Sequence, residues 1–359
     1  MTGSFEERRF SIFSDRSFFP SETTPHAAIF VPFWGTNPEA PGDPTNGRFD
    51  RYAEVGSRFL RLSALPECDA GVFPLSWESA EGLAAELGRR FSTVCREAGK
   101  TPVVFLGHDS TDPIPFDGIV FRTSLLRSQR GPNEFAQPAW SEDLLVRYLE
   151  GEVRVRPKRD RPVVGFCGST LATASSPRFT DRVRRRLGRG EPETTLDLAG
   201  EHPRTQALRA LDRDGRLEAN FVLHRDFWAG ARDPGSLLHA RREFVRNLRE
   251  SDYGLCVRGS GNFSFRFYET LCMGRIPVFV DTDCVLPLDF DIEWRDYCVW
   301  VEADDVGRIG DRILEFHESL GEAEFEERQH ACRRLWETHL SPEGFFASFH
   351  RHFERTVSA

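Results

Sequence analysis

The stretch RGSGNFSFRFYETLCMGRIPVFVDTDCVLP, residues Arg258–Pro287, carries the clearest fold signal in this 359-residue chain. It follows a short apolar run that is typical of a buried strand. A turn with Gly259 and Gly261 comes next, then an amphipathic segment that stops at Gly274 as helices commonly do, and then a second apolar run. This order predicts a β-α-β unit. In such a unit the helix N-terminus, with its unpaired N–H groups, lies at the carboxyl edge of the sheet, where open α/β sheets bind ligands.

The same alternation of apolar runs and amphipathic segments extends over most of the chain. Strand-like apolar runs lie at residues 26–31, 69–75, 101–107, 118–121, 163–167, 220–223, 253–257 and 297–301. Strands that alternate with helices predict largely parallel sheets. The charged, proline-containing segment Gly151–Pro162 is the best candidate linker. We therefore predict two facing α/β domains, residues 1–155 and 156–335, with a cleft between them and a C-terminal helix, residues 336–359, that packs back on the first domain.

Composition and charge exclude several classes of protein. The net charge of −9 argues against a nucleic-acid surface, because phosphate backbones are held by clustered positive charge. The sequence shows neither the apolar core of a signal peptide nor an apolar run as long as a membrane span. We expect a cytoplasmic protein without a nucleic-acid partner or an integral membrane segment, and peripheral membrane association is left open. The eight cysteines show neither a C-x-x-C pair nor the spacing of metal ligands, so buried reduced thiols are expected.

The residues around the glycine turn have the chemistry of an anion site. Ser264 stands where G-x-G-x-x-G would have its third glycine, so the dinucleotide fingerprint is not met. Arg258 precedes the turn, and Arg266 and Glu269 lie one turn apart on one helix face. Two guanidinium groups and a helix N-terminus can hold a diphosphate, and a carboxylate can accept both hydroxyls of a ribose. The alternative is an exposed Arg266–Glu269 pair, worth only about 0.2–0.5 kcal/mol to the helix.

A longer pattern in the same stretch adds a family resemblance. From Arg258 the sequence reads R-G-x-G-x-x-S-x-R-F-x-E-x-L-x-x-G-x-I-P-V, which resembles the signature of the exostosin-like glycosyltransferases at nearly every position. The resemblance continues through residues 283–297 and, more weakly, to residues 68–75 and 163–169. It implies the GT-B fold, two facing Rossmann-like α/β domains, and inverting, metal-independent transfer of a sugar from a nucleoside-diphosphate sugar to an acceptor.

The resemblance also implies roles for single residues. Six residues of the quoted stretch are implied to form the donor site: Arg258, Gly259, Gly261, Ser264, Arg266 and Glu269. The two arginines and the serine would contact the diphosphate or the base, and the glutamate would contact the ribose. Val257 stands where the family has proline, so the entry to the turn departs from the pattern. The donor would be UDP- or GDP-linked, and no further cofactor is implied.

Inverting displacement needs a base that takes the proton of the acceptor hydroxyl while the leaving diphosphate is stabilised on the opposite side. In a two-domain cleft we expect this base from the N-terminal half. The loop after the apolar run 101–107 has the densest set of candidates, namely His108, Asp109 and Asp112. Each of them has the alternative role of capping a turn.

Two other features have the chemistry of a ligand site. Asp281-Thr282-Asp283 reads as D-x-D, which in a different glycosyltransferase fold holds a divalent ion. Here it follows a unit whose helix N-terminus and arginines already supply positive charge, so a turn role is favoured and no metal is expected. Arg178, near the start of an arginine-rich helical pattern, is a further candidate for the donor site. A solvated helix face is the alternative for that pattern.

Together these observations predict a metal-independent, inverting glycosyltransferase that builds a polysaccharide or glycoconjugate. One alternative is a non-catalytic nucleotide-sugar or glycan-binding protein that kept the fold and lost the base. Another is a hydrolase or epimerase on the same scaffold. The sequence does not predict the sugar, the nucleotide or the acceptor, because hexoses differ in hydroxyl orientations that a few side chains on variable loops distinguish.

Overall fold

The computed structural model describes residues 9–19, 24–39, 43–77, 83–169 and 202–356. Within these residues the strands form two sheets, one of six strands and one of five, whose strand pairs are parallel. Each sheet is built from one half of the chain, and a cleft lies between the two halves. This arrangement of two facing α/β domains confirms the predicted GT-B fold class.

The six-stranded sheet belongs to the N-terminal half. Its strands are β1 (Phe10–Phe13), β2 (Leu60–Leu62), β3 (Ala70–Ser76), β4 (Thr101–Leu106), β5 (Ile119–Arg122) and β6 (Glu134–Ala136). Their order across the sheet is β2-β1-β3-β4-β5-β6. The helices of this half are α1 (Val31–Trp34), α2 (Asp50–Val55), α3 (Leu83–Glu97) and α4 (Leu144–Tyr148).

The five-stranded sheet belongs to the C-terminal half. Its strands are β7 (Val163–Ser169), β8 (Glu218–His224), β9 (Tyr253–Cys256), β10 (Ile276–Asp281) and β11 (Val299–Glu302), in the order β11-β10-β9-β7-β8. The helices are α5 (Pro203–Arg213), α6 (Pro234–Arg249), α7 (Phe265–Cys272), α8 (Ile309–Ser319), α9 (Glu322–Leu335) and α10 (Pro342–Ala347). The predicted β-α-β unit is β9, α7 and β10.

The apolar run 26–31, predicted as a strand, is helical instead. Residues Ala28–Phe30 form a 3-10 turn that continues into α1. Pro32 is the second residue of α1, a position where the missing N–H costs nothing and the fixed φ favours a helix. Ile29 and Phe30 are fully buried in the core of the first sheet. A helix that lies on a sheet therefore buries the same apolar residues that a strand would need.

After α9 the chain returns to the first sheet. Phe345, Phe346 and Phe349 are buried in one cluster with Phe105 and Phe121 of β4 and β5. Aromatic rings of this size bury large apolar areas, so the contact holds the C-terminal segment against the N-terminal half. The boundaries at residues 155 and 335 stay predictions.

A short loop of each half joins the two halves at one end of the cleft. Leu126 pairs with Cys284 in an antiparallel bridge. Nη2 of Arg127 donates a hydrogen bond of 2.8 Å to Oδ2 of Asp281, a carboxylate that is buried. These contacts fix the wall of the cleft from the C-terminal half relative to the wall from the N-terminal half.

Candidate functional site

The cleft between the two halves has a volume of about 700 Å³. From the N-terminal half it is lined by Asp43, Thr45, Arg48, Asp109, Trp140 and Ser141. From the C-terminal half it is lined by the ends of β7 and β8, by α5 and α6, and by the glycine turn that leads into α7. The turn predicted from the sequence is therefore part of the wall of the cleft.

Helix α7 presents its N-terminus to the cleft. Ser264 is the N-cap residue, with an extended backbone (φ −140°, ψ 117°), and its side chain makes no capping hydrogen bond. Ser264, Phe265 and Arg266 all line the cleft. At the other end the helix stops before Gly274, which has the left-handed φ of +61° that the sequence predicted for a terminating glycine. An N-terminus that opens onto a cleft in this way suits an anion.

Two arginines lie beside this N-terminus. Nη2 of Arg266 donates to the carbonyl oxygen of Cys167 at 2.6 Å, and its guanidinium lies 4.2 Å from the ring centre of Phe166. Arg204, at the start of α5, donates to the carbonyl oxygens of Ser169 at 3.1 Å and Arg258 at 2.9 Å. Both arginines line the cleft. The sequence motif predicts Arg266 as a site residue. It does not predict Arg204, which belongs to a different segment of the chain.

In the described part of the chain, these two arginines are not paired directly with carboxylates. Among the described residues neither forms an ion pair with a carboxylate, and the Nε atom of each is buried without a hydrogen-bond partner. Burial, and then the charge of Arg266, lower the pKa of Arg204 to about 10, and burial lowers the pKa of Arg266 as well. Two buried guanidinium groups whose charged forms are destabilised in this way form a site that suits a diphosphate.

Glu269 lies in the wall of the cleft and is only 6% exposed. Nη1 of Arg241 is 2.6 Å from its Oε1. Arg241 also donates from Nε and Nη2 to the two carboxylate oxygens of Glu142, at 2.8 and 2.9 Å. Burial lowers the pKa of Arg241, but the charges of Glu269 and Glu142 outweigh it and hold this pKa above its usual value. The alternative of an exposed Arg266–Glu269 pair is therefore wrong.

The other predicted donor residues are placed as follows. Gly259 and Gly261 line the cleft. Arg258 contributes its carbonyl oxygen to Arg204, while its own Nε is buried without a partner and its side chain is not part of the cleft lining. Arg178 lies outside the described residues.

The three candidate bases differ in their surroundings. Asp109 is exposed and lines the cleft beside the glycine turn. Nδ1 of His108 accepts a hydrogen bond from the Ser110 amide, and its Nε2 is buried without a partner. Asp112 accepts a hydrogen bond of 2.7 Å from the Ser110 hydroxyl, as a turn residue does. Buried Arg122 fixes this loop by donating to the carbonyl oxygens of residues 110 and 112.

The D-x-D residues belong to the junction between the halves and not to the cleft lining. Oδ1 of Asp281 accepts a hydrogen bond from the Cys284 amide at 2.9 Å, and its Oδ2 accepts one from Arg127. The carboxylate of Asp283 accepts hydrogen bonds from the amide and hydroxyl of Ser128. The Asp281 carboxylate accepts a hydrogen bond within the turn, which is the role that the sequence favoured, and both carboxylates also bind residues of the N-terminal half.

One group of possible metal ligands occurs in the part of the chain that the structure describes. The ligand atoms of Cys167, His224 and Glu243 lie within 4.8 Å of one another, and Nε2 of His224 is 2.8 Å from Oε2 of Glu243. Burial raises the pKa of the Cys167 thiol to about 11, so the thiol would have to lose a proton before binding a metal at neutral pH. The three residues come from β7, β8 and α6, so no spacing motif marks them in the sequence.

No family model matches the sequence. Two curated proteins share a short similar segment with it. Exostosin-1 of Drosophila melanogaster is 36% identical over 62 residues, which make up 17% of this chain and 8% of that protein. The probable glucuronosyltransferase GUT1 of Oryza sativa subsp. japonica is 34% identical over 71 residues, or 20% of this chain and 17% of that protein. The similar segments thus span less than a fifth of either relative, and they support the resemblance to the exostosin-like glycosyltransferases.

Three solved structures show a distant likeness, each with a TM-score of 0.33. TarM is 12% identical, covering 71% of this chain and 50% of its own. An alpha-glucosyltransferase in complex with UDP-glucose and DNA is 12% identical, covering 86% and 84%. The catalytic domain of starch synthase IV from Arabidopsis thaliana, bound to ADP and acarbose, is 11% identical, covering 91% and 80%. Likeness at this level does not establish common function.

Among the described residues, none of the helices has both the length and the apolar character that crossing a membrane requires.

Proposed function

We propose that this protein is an inverting, metal-independent glycosyltransferase that moves a sugar from a nucleoside-diphosphate sugar to a hydroxyl of a glycan or glycoconjugate. The observation that carries the proposal is the cluster formed by Arg204, Arg266, the N-terminus of α7 and Glu269 on one side of the cleft. Guanidinium groups and helix N–H groups suit a diphosphate, and a carboxylate suits the two hydroxyls of a ribose. The similarity to Exostosin-1 and to a probable glucuronosyltransferase supports this class of reaction.

In this proposal the leaving group is held by Arg204, Arg266 and the start of α7. When the bond between the anomeric carbon and the diphosphate breaks, negative charge grows on the diphosphate oxygen. The two guanidinium groups stabilise that charge more in the transition state than in the ground state. Because these groups already supply positive charge beside the diphosphate, a divalent ion is not needed for this step.

The attacking hydroxyl needs a base on the N-terminal side of the cleft, and we propose Asp109. Of the three candidates it is the one that lines the cleft. Its carboxylate is exposed and so is accessible to an acceptor that enters from solvent. Asp109 would take the proton of the acceptor hydroxyl while the oxygen of that hydroxyl attacks the anomeric carbon from the face opposite the diphosphate. The product would then have inverted configuration.

The donor is proposed to be UDP- or GDP-linked, and no further cofactor is assigned. A role in polysaccharide or glycoconjugate synthesis and a cytoplasmic location belong to the same proposal. They follow from the resemblance and from the composition of the chain.

The experiment that tests this function has two stages. Thermal unfolding with a panel of UDP- and GDP-sugars reports binding, since a ligand at a hundredfold excess over its Kd stabilises the folded state by about 2.7 kcal/mol. The sugars that bind are then incubated with a glycan acceptor library, and the anomeric configuration of the product is read by NMR. We expect stabilisation by a subset of donors and an inverted product. Binding without transfer to any acceptor would instead favour a nucleotide-sugar-binding protein, and absence of binding would overturn the proposal.

A further inference from the structure

Glu269, the proposed ribose ligand, is held in place by a residue of the other domain. Glu142 comes from the N-terminal half and precedes α4, whereas Arg241 lies on α6 of the C-terminal half. We infer that Glu142 and Arg241 form an interdomain clamp that orients Glu269 for the ribose, so that the N-terminal domain takes part in donor recognition. This inference rests on the proposed function and adds two positioning residues to it.

In the clamp, the N–H groups of one guanidinium are shared between two carboxylates. Nε and Nη2 of Arg241 face Glu142 in a bidentate pair, and Nη1 faces Oε1 of Glu269. The three side chains are buried, with exposed fractions of 4% for Arg241, 3% for Glu142 and 7% for Glu269. Glu142 thus occupies the side of Arg241 that would otherwise be available for a second contact with Glu269.

Removing Glu142 should change how Arg241 binds Glu269. Guanidinium and carboxylate groups prefer the bidentate geometry, with two parallel N–H···O contacts. Without its partner from the N-terminal half, Arg241 would be free to form such a pair with Glu269. Both carboxylate oxygens would then be engaged by Arg241, and the ribose hydroxyls would have to compete with it. Glu142 therefore acts on the ribose through Arg241 and Glu269.

A second interdomain ion pair lies beside the clamp. Asp143, the next residue after Glu142, accepts hydrogen bonds of 2.9 and 2.7 Å from Nη1 and Nη2 of Arg333 on α9. Two adjacent acidic residues of the N-terminal half are therefore each held by an arginine of the C-terminal half. The guanidinium of Arg241 also lies 5.1 Å from the ring centre of Phe244 and 5.7 Å from that of Trp228, which restricts its movement.

The test uses the full chain with the substitution Glu142→Gln. Titration calorimetry measures the affinity for UDP, GDP and the 2′,3′-dideoxy form of each. We expect Glu142→Gln to weaken the ribonucleotide that binds wild type by about tenfold, as for loss of one hydrogen bond to a charged group. We expect its affinity for the dideoxy nucleotide to equal that of wild type, since that ligand has no hydroxyls for Glu269.

The matched control is Asp143→Asn, which breaks the neighbouring interdomain pair with Arg333. Asparagine is as good an N-cap as aspartate, so α4 keeps its start. This variant weakens the Asp143–Arg333 pair between the two halves without changing the contacts of Arg241. Its affinity for the ribonucleotide should match that of wild type. In the double variant Glu142→Gln with Glu269→Gln, the loss should not exceed that of Glu269→Gln alone, because both changes act on one contact.

The clamp would be overturned by equal losses for the ribonucleotide and the dideoxy nucleotide, by an unchanged ribonucleotide affinity, or by a loss of the same size in Asp143→Asn. If Glu142→Gln does not fold, Arg241→Lys keeps the positive charge and removes the fork, and it should show the same selective loss. Wild-type protein that binds neither UDP nor GDP would overturn the proposed function itself. If wild type binds one of them and Glu142→Gln loses affinity equally for the ribonucleotide and the dideoxy nucleotide, only the clamp is overturned.

Discussion

Asp109 of the N-terminal half lies directly against Gly261 of the glycine turn that leads into α7. A Cβ atom at Gly261 would lie 2.8 Å from Oδ1 and 2.9 Å from Cα of Asp109. Atoms this close overlap, and because one of the two is a backbone atom, the overlap can be relieved only by moving one of the loops. Glycine therefore permits the proposed base loop and the proposed diphosphate turn to touch.

The first prediction tests this close approach with Gly261→Ala. The added methyl group should push the two loops apart, lowering the free energy of unfolding by about 1–3 kcal/mol and kcat/KM by at least about tenfold. The control is Gly107→Ala in the loop that carries Asp109, where a Cβ would have no atom within 4 Å. Equal activity of the two variants in a transfer assay would show that the close approach is unimportant.

The second prediction concerns the base. Asp109→Asn should lower kcat by about a hundredfold or more, since general-base catalysis contributes this much, and should leave donor affinity unchanged. Asp112→Asn is the matched control, because Asp112 accepts a hydrogen bond from Ser110 and is not part of the cleft lining. Near-normal turnover of Asp109→Asn would show that this residue is not the base and would favour His108 instead.

The third prediction concerns the two arginines. Arg266→Ala and Arg204→Ala should each lower kcat/KM by about ten- to hundredfold, the value of a hydrogen bond to a charged group that strengthens in the transition state. Arg216→Ala, which removes an exposed arginine paired with Asp214 and Asp311, should leave kcat/KM at the wild-type value. If the cleft variants behave like this control, the diphosphate site lies elsewhere.

The fourth prediction concerns the metal. Transfer should continue in excess chelator, because the positive charge beside the diphosphate is supplied by arginines. Asp281→Asn should lower the free energy of unfolding by about 1–3 kcal/mol through the weakened contact with Arg127, and should leave the donor Kd unchanged. Loss of activity on chelation, restored by added metal, would contradict this and would favour a metal held by the D-x-D carboxylates or by the group around Cys167.

The sequence predicts those parts of the fold that bury continuous apolar runs. Strands β7 and β9 are flanked by other strands and covered on both faces, and such strands read as unbroken apolar stretches. Strands β1 and β6 have only four and three residues, which is too short for a periodic pattern to show. The run around Ile29 is helical although the sequence predicts a strand, because burial alone does not distinguish a short helix from a strand.

The candidate site also contains residues that the sequence predicts and residues that it does not. Ser264, Arg266 and Glu269 could be found because they belong to one contiguous β-α-β unit, whose geometry brings them to the edge of the sheet. Arg204 and Glu142 could not, because each comes from a distant segment and reaches the site only through the folded arrangement of the two halves. Residues that meet across a domain interface have no fixed separation in the sequence, so no motif marks them.

His352, in the segment after α10, gives a pH-dependent test of how the C-terminal segment packs. It is fully buried, and its ring centre lies 4.8 Å from that of Phe121 and 5.1 Å from that of Phe135, both on the first sheet. Its Nδ1 is 3.1 Å from the carbonyl oxygen of Phe349, and its Nε2 is buried without a partner. Burial lowers the pKa of His352 to about 3. The folded protein therefore keeps this ring neutral at pH values where the unfolded chain binds a proton.

The fifth prediction follows from the sign of this shift. The unfolded histidine has a pKa of about 6.5, so below that pH the unfolded state gains a proton that the folded state gains only near pH 3, and stability falls as the pH is lowered through this window. Between pH 7 and pH 5 this one group should lower the free energy of unfolding by about 2 kcal/mol, and urea unfolding at the two pH values checks this. His352→Leu should remove that part of the pH dependence, whereas His330→Leu, at an exposed position of α9, should retain it. A wild-type pH dependence in His352→Leu would mean that this ring is protonated in the folded state, and that the C-terminal segment does not bury it against β5 and β6.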